Sequence, residues 1–341
     1  MKSAVLTEPQ EFELQDRPRP DPGPGEVLVA IRDVGICGSD VHYYERGRIG
    51  DYVVENSLIL GHESAGEIVE VGDDVDGLAV GDRVTLEPGV PCRRCAHCKR
   101  GDYHLCESVT FMATPPHDGA FAEYVAWPAD FVYELPEGVS QRDGALCEPL
   151  SVAIHATRQA GIELGDSVLV TGAGPIGMLT IATARAAGAS EVYVSDVVEE
   201  KLDRAAEWGA DGTIDVSERD LATATAELTD GRGVDAVVEA SGAASVYGEA
   251  VAAVRRGGTI TCVGISSNTE IPFDFTQVTN RELTINGSFR YRNTFPEAIE
   301  LLERGAVDVA ALVDHEYDFA ELPAAFEAAA APEAVKTMVS L

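Results

Sequence analysis

Val168-Leu169-Val170-Thr171-Gly172-Ala173-Gly174-Pro175-Ile176-Gly177 is the stretch that decides the fold. Its first four residues read as a buried strand, and Met178–Ala187 beyond it reads as a helix. The turn between them carries the spacing G-x-G-x-x-G. Gly172 permits the tight turn, Gly174 lets backbone approach a pyrophosphate, and Gly177 lets the helix pack close to the strand. The helix N-terminus offers free N–H groups and a positive dipole end to phosphates. Pro175 suits the first turn, where its missing N–H would have had no intrahelical partner. A second apolar run, Glu191–Ser195, leads to Asp196, at about the twenty-residue separation such units use. That carboxylate accepts bonds from ribose hydroxyls and repels a 2′-phosphate, so NAD is expected over NADP. The bland alternative is a tight turn with Asp196 as a helix cap.

Working outward, Ser167–Val170, Glu191–Ser195, Val234–Val238, Thr259–Val263 and Leu283–Ile285 read as strands alternating with Ala-rich helices. This is the rhythm of a doubly wound parallel sheet. It starts near residue 151 and stops after Gly287. Residues before about 150 carry short β-like runs instead, such as Glu26–Val34, Ala65–Val71 and Asp82–Leu86, separated by Gly and Pro. One short helix is expected from Ser39 as N-cap to a stop at Gly47. The chain closes on an Ala-rich helix near Pro323–Ala331 and a short strand, Thr337–Leu341.

The 341 residues suffice for two domains and a sizeable core. No apolar run approaches the roughly 20 residues of a membrane span. The start, Met1–Pro9, has no apolar signal core, so a cytoplasmic protein is expected. Fifty-eight acids face 25 bases, for a net charge of −33. Only Lys2, Lys99, Lys201 and Lys336 are lysines. Such a surface repels itself at low salt, and molar salt shrinks the Debye length to about 3 Å. An ordinary acidic enzyme is one reading; the scarcity of Lys favours a halophilic protein. Nucleic acid is not an expected partner, since unselective binding needs phosphate-neutralising Lys and Arg.

Cys92, Cys95, Cys98 and Cys106 follow the spacing C-x2-C-x2-C-x7-C. Four thiolates on one short loop close a tetrahedral structural zinc site. Two disulfides or unligated thiols are the alternative in this segment, disfavoured in a reducing compartment. His97 and His104 are expected to be solvated loop residues. A second metal centre is suggested by three separate segments: Cys37 with Ser39 and His42 in Gly35–His42, His62-Glu63 after Gly61, and Glu148 in Ala145–Leu150. Spacing alone does not bring them together. Taken singly, Cys37 and Cys147 read as small buried residues, His62 as a satisfied core histidine, and the two Glu as surface acids.

Taken together, these residues resemble the zinc-containing medium-chain dehydrogenases, especially the sorbitol and xylitol dehydrogenases. The resemblance runs nearly end to end and is most specific in Gly35–Arg48, Leu60–Val71, Glu87–Cys106, Phe111–Ala120, Gly144–Ser151 and Gly287–Phe295. It implies an α/β chain of two domains. Residues 1–149 would be a GroES-like β-domain completed by 288–341, and 150–287 a Rossmann domain. It further implies two zinc ions per subunit, one structural and one catalytic. Cys37 and His62 match the characteristic catalytic pair, with Glu63 or Glu148 completing the set. Ser39 matches a hydroxyl that bonds substrate or water, and His42 the outer member of a proton relay. Tyr43, Phe111, Phe289, Arg290 and Tyr291 match substrate-pocket positions, Arg290 also reaching the cofactor. Lys201 matches a basic residue beside the adenine ribose; Ser241, Val263 and Gly264 match positions near the nicotinamide.

The reaction so implied is NAD-linked oxidation of a polyol to a ketose. Threonine, butanediol or aldose dehydrogenation within the same family is the alternative, and a non-catalytic zinc and nucleotide protein is a different one. A homotetramer, or else a dimer, is implied. The chain departs from mammalian sorbitol dehydrogenases in keeping all four cysteines of the structural site.

Overall fold

The computed structural model describes residues 1–266, 268 and 270–341. The chain forms two compact units, Met1–Glu148 with Phe295–Leu341, and Pro149–Thr294. The return to the first unit thus begins at Phe295, later than the expected 288. Phe289, Arg290 and Tyr291 belong with the second unit.

The first unit is built on a seven-stranded sheet. Its order runs Val132–Glu134, Arg83–Leu86, Glu63–Val71, Glu26–Gly35, Lys336–Ser340, Val313–Asp318, with Tyr124–Pro128 also paired to Glu26–Gly35. Pairing is antiparallel except between the last two strands of that order. Val27, Val29, Ile31, Ile68, Leu86 and Phe121 are buried at its centre, with Phe326 of the Leu322–Ala329 helix packed on them. The chain's last strand therefore lies beside one of its first. That neighbourhood decides the metal centre described below.

The second unit is a six-stranded, wholly parallel sheet. Its order is Gly212–Asp215, Glu191–Asp196, Ser167–Thr171, Val234–Glu239, Val254–Cys262, Thr284–Gly287. Val168, Leu169 and Val170 are fully buried, as strands covered on both faces must be. The chain winds outward from Ser167–Thr171 in one direction, then restarts at Val234–Glu239 in the other. The sheet order therefore reverses between those two strands. The short edge strand Gly212–Asp215 was not legible as one, because only Ile214 in it is fully buried.

Local chemistry corrects one helix boundary. The first helix spans Gly38–Arg46, with Cys37 rather than Ser39 at the N-cap. Asp40 sets the start, its Oδ2 accepting the Cys37 N–H at 3.1 Å. Gly47 ends the helix in the left-handed region at φ 64°, donating its N–H to Tyr43 O. Among the described residues, no helix is long and apolar enough to cross a membrane.

Candidate active site and metal centres

Ligand atoms of Cys37, His62 and Glu63 all lie within 4.8 Å of one another. Sheet register accounts for this. Gly35, just before Cys37, sits opposite Glu63 on one side and Met338 on the other. The Glu63 carboxylate lies across Gly35, where an added Cβ would come 2.0 Å from Glu63 Oε2. Only glycine fits at that point. Beyond it, Lys336 Nζ donates to Glu63 Oε2 at 2.7 Å, to Oε1 at 2.8 Å and to the Ile36 carbonyl at 3.0 Å. Burial alone would lower the lysine's pKa; the Glu63 and Cys37 charges outweigh it and raise the pKa. The pair is a fully protein-enclosed ion pair.

His62 is buried too, and its Nδ1 faces Asp40 Oδ1 at 3.5 Å. Asp40 is completely buried and also accepts the Gly61 N–H at 3.0 Å. Burial draws the His62 pKa down, but Asp40 and Cys37 outweigh that and hold it well above the usual value. A carboxylate behind a ligand histidine fixes ring orientation and raises its basicity. Neither Asp40 nor Lys336 stood out in the sequence as a site residue. Asp40 had a signal, lying between Cys37 and His42 in the most specific stretch.

Glu148 opens the Cys147–Ala160 helix and is 5% exposed. Among the described residues it falls outside the three-residue group, so the geometry places Glu63 rather than Glu148 with Cys37 and His62. Both glutamates are buried, which disposes of the surface-acid reading. Cys147 is fully buried, and burial pushes its thiol up; it is a packing residue. Ser39 and His42 lie three apart on the Gly38–Arg46 helix and so share a face. Burial and the Arg46 charge lower the His42 pKa. Phe111 packs its ring on His62, centroids 5.7 Å apart, and Tyr43 is buried.

The second cluster joins Cys92, Cys95, Cys98 and Cys106, whose sulfurs lie within 4.8 Å of one another. None is in a disulfide. The Sγ separations Cys95–Cys98, 3.4 Å, and Cys92–Cys98, 3.9 Å, bracket the about 3.8 Å edge of a tetrahedron with zinc–sulfur bonds near 2.3 Å. The donor set therefore fits a closed zinc site. Backbone N–H groups of Arg94 and Cys95 draw the Cys92 thiol down to about 6, toward the thiolate a metal needs. His97 is half-buried in this lobe and approaches Arg100. His104 is buried, not solvated: in the turn Tyr103–Leu105 its side chain is covered while that of Leu105 is left exposed.

In the second unit, Gly172 has φ 92°, and a Cβ on Gly177 would meet the Gly172 carbonyl at 1.8 Å. Both positions require glycine. A Cβ on Gly174 would meet nothing within 4 Å. Gly174 caps the Pro175–Ala187 helix, Pro175 and Ile176 form its first turn, and no side chain satisfies its first N–H groups. That open, donor-rich helix end suits a phosphate. Asp196 ends its strand, taking N–H bonds from Ala173 on Oδ2 and from Val197 and Val198 on Oδ1. It is tied to the glycine loop and keeps acceptor capacity for hydroxyls. Lys201 is half-buried on the Glu199–Glu207 helix. Ser241 is exposed after the Val234–Glu239 strand, and Val263 and Gly264 follow Val254–Cys262, each half-buried. The Arg290 guanidinium lies 4.8 Å from the Phe289 ring centroid. Phe289 is half-exposed and Tyr291 buried.

Residues 23–137 match the family model of the alcohol dehydrogenase GroES-like domain, and residues 175–304 that of the zinc-binding dehydrogenases. The chain is 44% identical to the sorbitol dehydrogenase of Bacillus subtilis over 96% of its own length and 93% of that protein. It is 43% identical to a probable D-xylulose reductase A of Aspergillus clavatus, over 99% and 96% of the two chains. A crystal structure of an Escherichia coli oxidoreductase of unknown specificity superposes with a TM-score of 0.95 at 37% identity, covering 99% and 98%. The two candidate metal-ligand groups, the glycine loop and these likenesses agree, and the chain belongs to the zinc-containing medium-chain alcohol dehydrogenases, within their polyol dehydrogenase group.

Proposed function

We propose that this enzyme oxidises a secondary hydroxyl of a polyol of the sorbitol or xylitol type to a ketose, with NAD as hydride acceptor. The observation that carries the reading is the Cys37–His62–Glu63 group, with His62 and Glu63 buried and Cys37 half-buried, in a chain whose close relatives are named for sorbitol and xylulose. Cys37, His62 and Glu63 would hold the catalytic zinc, with Glu148 near it, and Cys92, Cys95, Cys98 and Cys106 the structural one. Zinc held at the first site would supply Lewis-acid activation of a substrate hydroxyl, and NAD would supply the hydride acceptor.

The chain's own residues do the rest. Asp40 holds the His62 ring with Nδ1 turned inward, leaving Nε2 for the metal. Lys336 fixes the Glu63 carboxylate at both oxygens. Ser39 takes the hydroxyl proton and His42 relays it outward. With its pKa lowered, His42 is neutral near pH 7 and free to accept that proton. Tyr43 and Phe111 in the first unit, and Phe289, Arg290 and Tyr291 in the second, match substrate-pocket positions of the family, and the Arg290 fork of donors suits polyol hydroxyls and the cofactor. Gly172, Gly174, Pro175, Ile176 and Gly177 cradle the pyrophosphate, with Asp196 and Lys201 beside the adenine ribose. Ser241, Val263 and Gly264 line the nicotinamide end.

The enzyme works in the cytoplasm, where its seven cysteines, none of them in a disulfide, stay reduced, as a homotetramer or a dimer. The sheet edge at Thr284–Gly287, where Ile285 is exposed, is a surface either assembly could use.

NADH formation over a substrate panel tests the assignment. Sorbitol or xylitol should outpace butane-2,3-diol, threonine and glucose; a preference for any of these three would replace the polyol reading. Cys37→Ala should abolish turnover and remove one of two zinc ions. Full turnover in that variant would end the metal mechanism.

A further inference from the structure

Glu239 is the last residue of the Val234–Glu239 strand, and it is completely buried. In register it faces Thr171, the end of the neighbouring Ser167–Thr171 strand, and on its other side Cys262. Thr171 and Glu239 thus flank the place where the sheet order reverses. Open α/β sheets take their ligands in the crevice beyond the strand ends at such a reversal. A buried carboxylate is costly unless hydrogen bonds compensate it.

Those bonds are specific. Oε1 accepts the N–H groups of Ser241 and Gly242, each at 2.9 Å, and the Ser241 hydroxyl. The Glu239 carbonyl accepts the N–H groups of Val263, at 2.8 Å, and Gly264, at 2.9 Å. The Tyr247 hydroxyl lies beside the Glu239 carboxylate and donates to the Gly264 carbonyl at 2.8 Å. Gly264 abuts Gly242 so closely that a Cβ would come 2.2 Å from the Gly242 nitrogen and 2.8 Å from Oε2. Ser241 in turn packs on Gly172, where a Cβ would lie 2.9 Å from the Ser241 Cα. One residue therefore ties together the 241–242 turn, the 263–264 segment and, through Ser241, the first glycine of the phosphate loop.

A dinucleotide with its pyrophosphate at Gly174 and its adenine ribose at Asp196 must lay its other half over the Val234–Glu239 side of the reversal. That half falls on the segments Glu239 holds. We infer that Glu239 is a positioning residue for the nicotinamide half of the cofactor, holding the Ser241–Gly242 and Val263–Gly264 segments as a preformed floor. This rests on the NAD reading above.

The test compares two ligands on the full-length enzyme: NADH, and ADP-ribose, which lacks the nicotinamide. Glu239→Gln removes the charge from three hydrogen bonds and places a donor at Oε2. NADH should bind about tenfold more weakly, with ADP-ribose affinity within about twofold. KM for NAD should rise while KM for the polyol stays put. Ser241→Ala deletes only one of the bonds and should shift NADH binding in the same direction by less. It carries the same comparison if Glu239→Gln does not fold. Equal weakening of both ligands would mean that Glu239 merely supports the fold, and unchanged NADH binding would also overturn the inference. If the wild type binds ADP-ribose and NADH with no gain from the nicotinamide, the floor has no ligand and the inference fails. If it binds neither, the NAD reading itself fails first.

Discussion

Lys336 reaches both oxygens of Glu63, at 2.7 and 2.8 Å, with each side chain 1% exposed. It is one of four lysines in a chain of 341 residues. A protein this poor in lysine places one where no solvent reaches it, behind a metal-ligand candidate. Removing one partner of such a pair leaves a buried charge uncompensated. Lys336→Met should destabilise the enzyme by about 3–5 kcal/mol. Adding Glu63→Gln should recover much of that, because the two changes share one interaction. Thermal unfolding of the two single variants and the double variant measures it. Simple additivity would mean the pair contributes nothing as a pair.

Asp196 decides between cofactors if its free acceptor capacity meets the ribose. Asp196→Ala should lower the NAD over NADP ratio of kcat/KM by about tenfold or more, given the strength of hydrogen bonds to a charged group. Because Asp196 also holds the Ala173 N–H at 2.7 Å, NAD affinity should fall in absolute terms as well. A wild type that already prefers NADP would contradict this account of the residue.

Glu87 gives the first unit a pH signature. It is 1% exposed and receives hydroxyl bonds from Tyr103 at 2.7 Å and Tyr133 at 2.9 Å. Burial pushes its pKa from 4.5 to about 7 despite those bonds. The folded state therefore keeps a proton that the unfolded chain releases. Its contribution is complete below pH 4.5 and is lost as pH rises to about 7. The size is roughly 3 kcal/mol. Glu87→Gln should flatten the fall in Tm between pH 5 and 7.5. An unchanged slope in the variant would assign the effect elsewhere.

Net charge predicts a salt response. At −33, self-repulsion is felt over a Debye length of about 10 Å at 0.1 M and about 3 Å at 1 M. Raising KCl from 0.1 to about 2 M should raise Tm and preserve activity on storage. A Tm that is flat or falls with KCl would make this an ordinary acidic enzyme.

Much of this protein is local and could be read along the chain. Val168–Gly177 states a strand, a turn and a helix in consecutive residues, because glycine geometry and helix capping act over a few positions. The four cysteines lie within fifteen residues of one another, so a loop alone can gather them. The alternation after residue 151 sets a parallel sheet for the same reason: each unit buries its own apolar run. The helix start at Cys37 was misplaced because a side-chain bond from Asp40, not residue preference at Ser39, set it.

The catalytic group is otherwise. Cys37, His62 and Glu63 meet, and Lys336 joins them, only because Lys336–Ser340 pairs with Glu26–Gly35 and that strand pairs with Glu63–Val71. Gly35 leaves the gap through which Glu63 and Lys336 touch, 273 residues apart in the chain. Glu239 likewise acts on segments brought to it by two neighbouring strands. Contacts of this kind depend on register between distant strands, and register is settled by burying whole faces of the sheet at once. The residues that can bind metal and nucleotide were written locally; which buried charge stands behind each of them was decided by the fold.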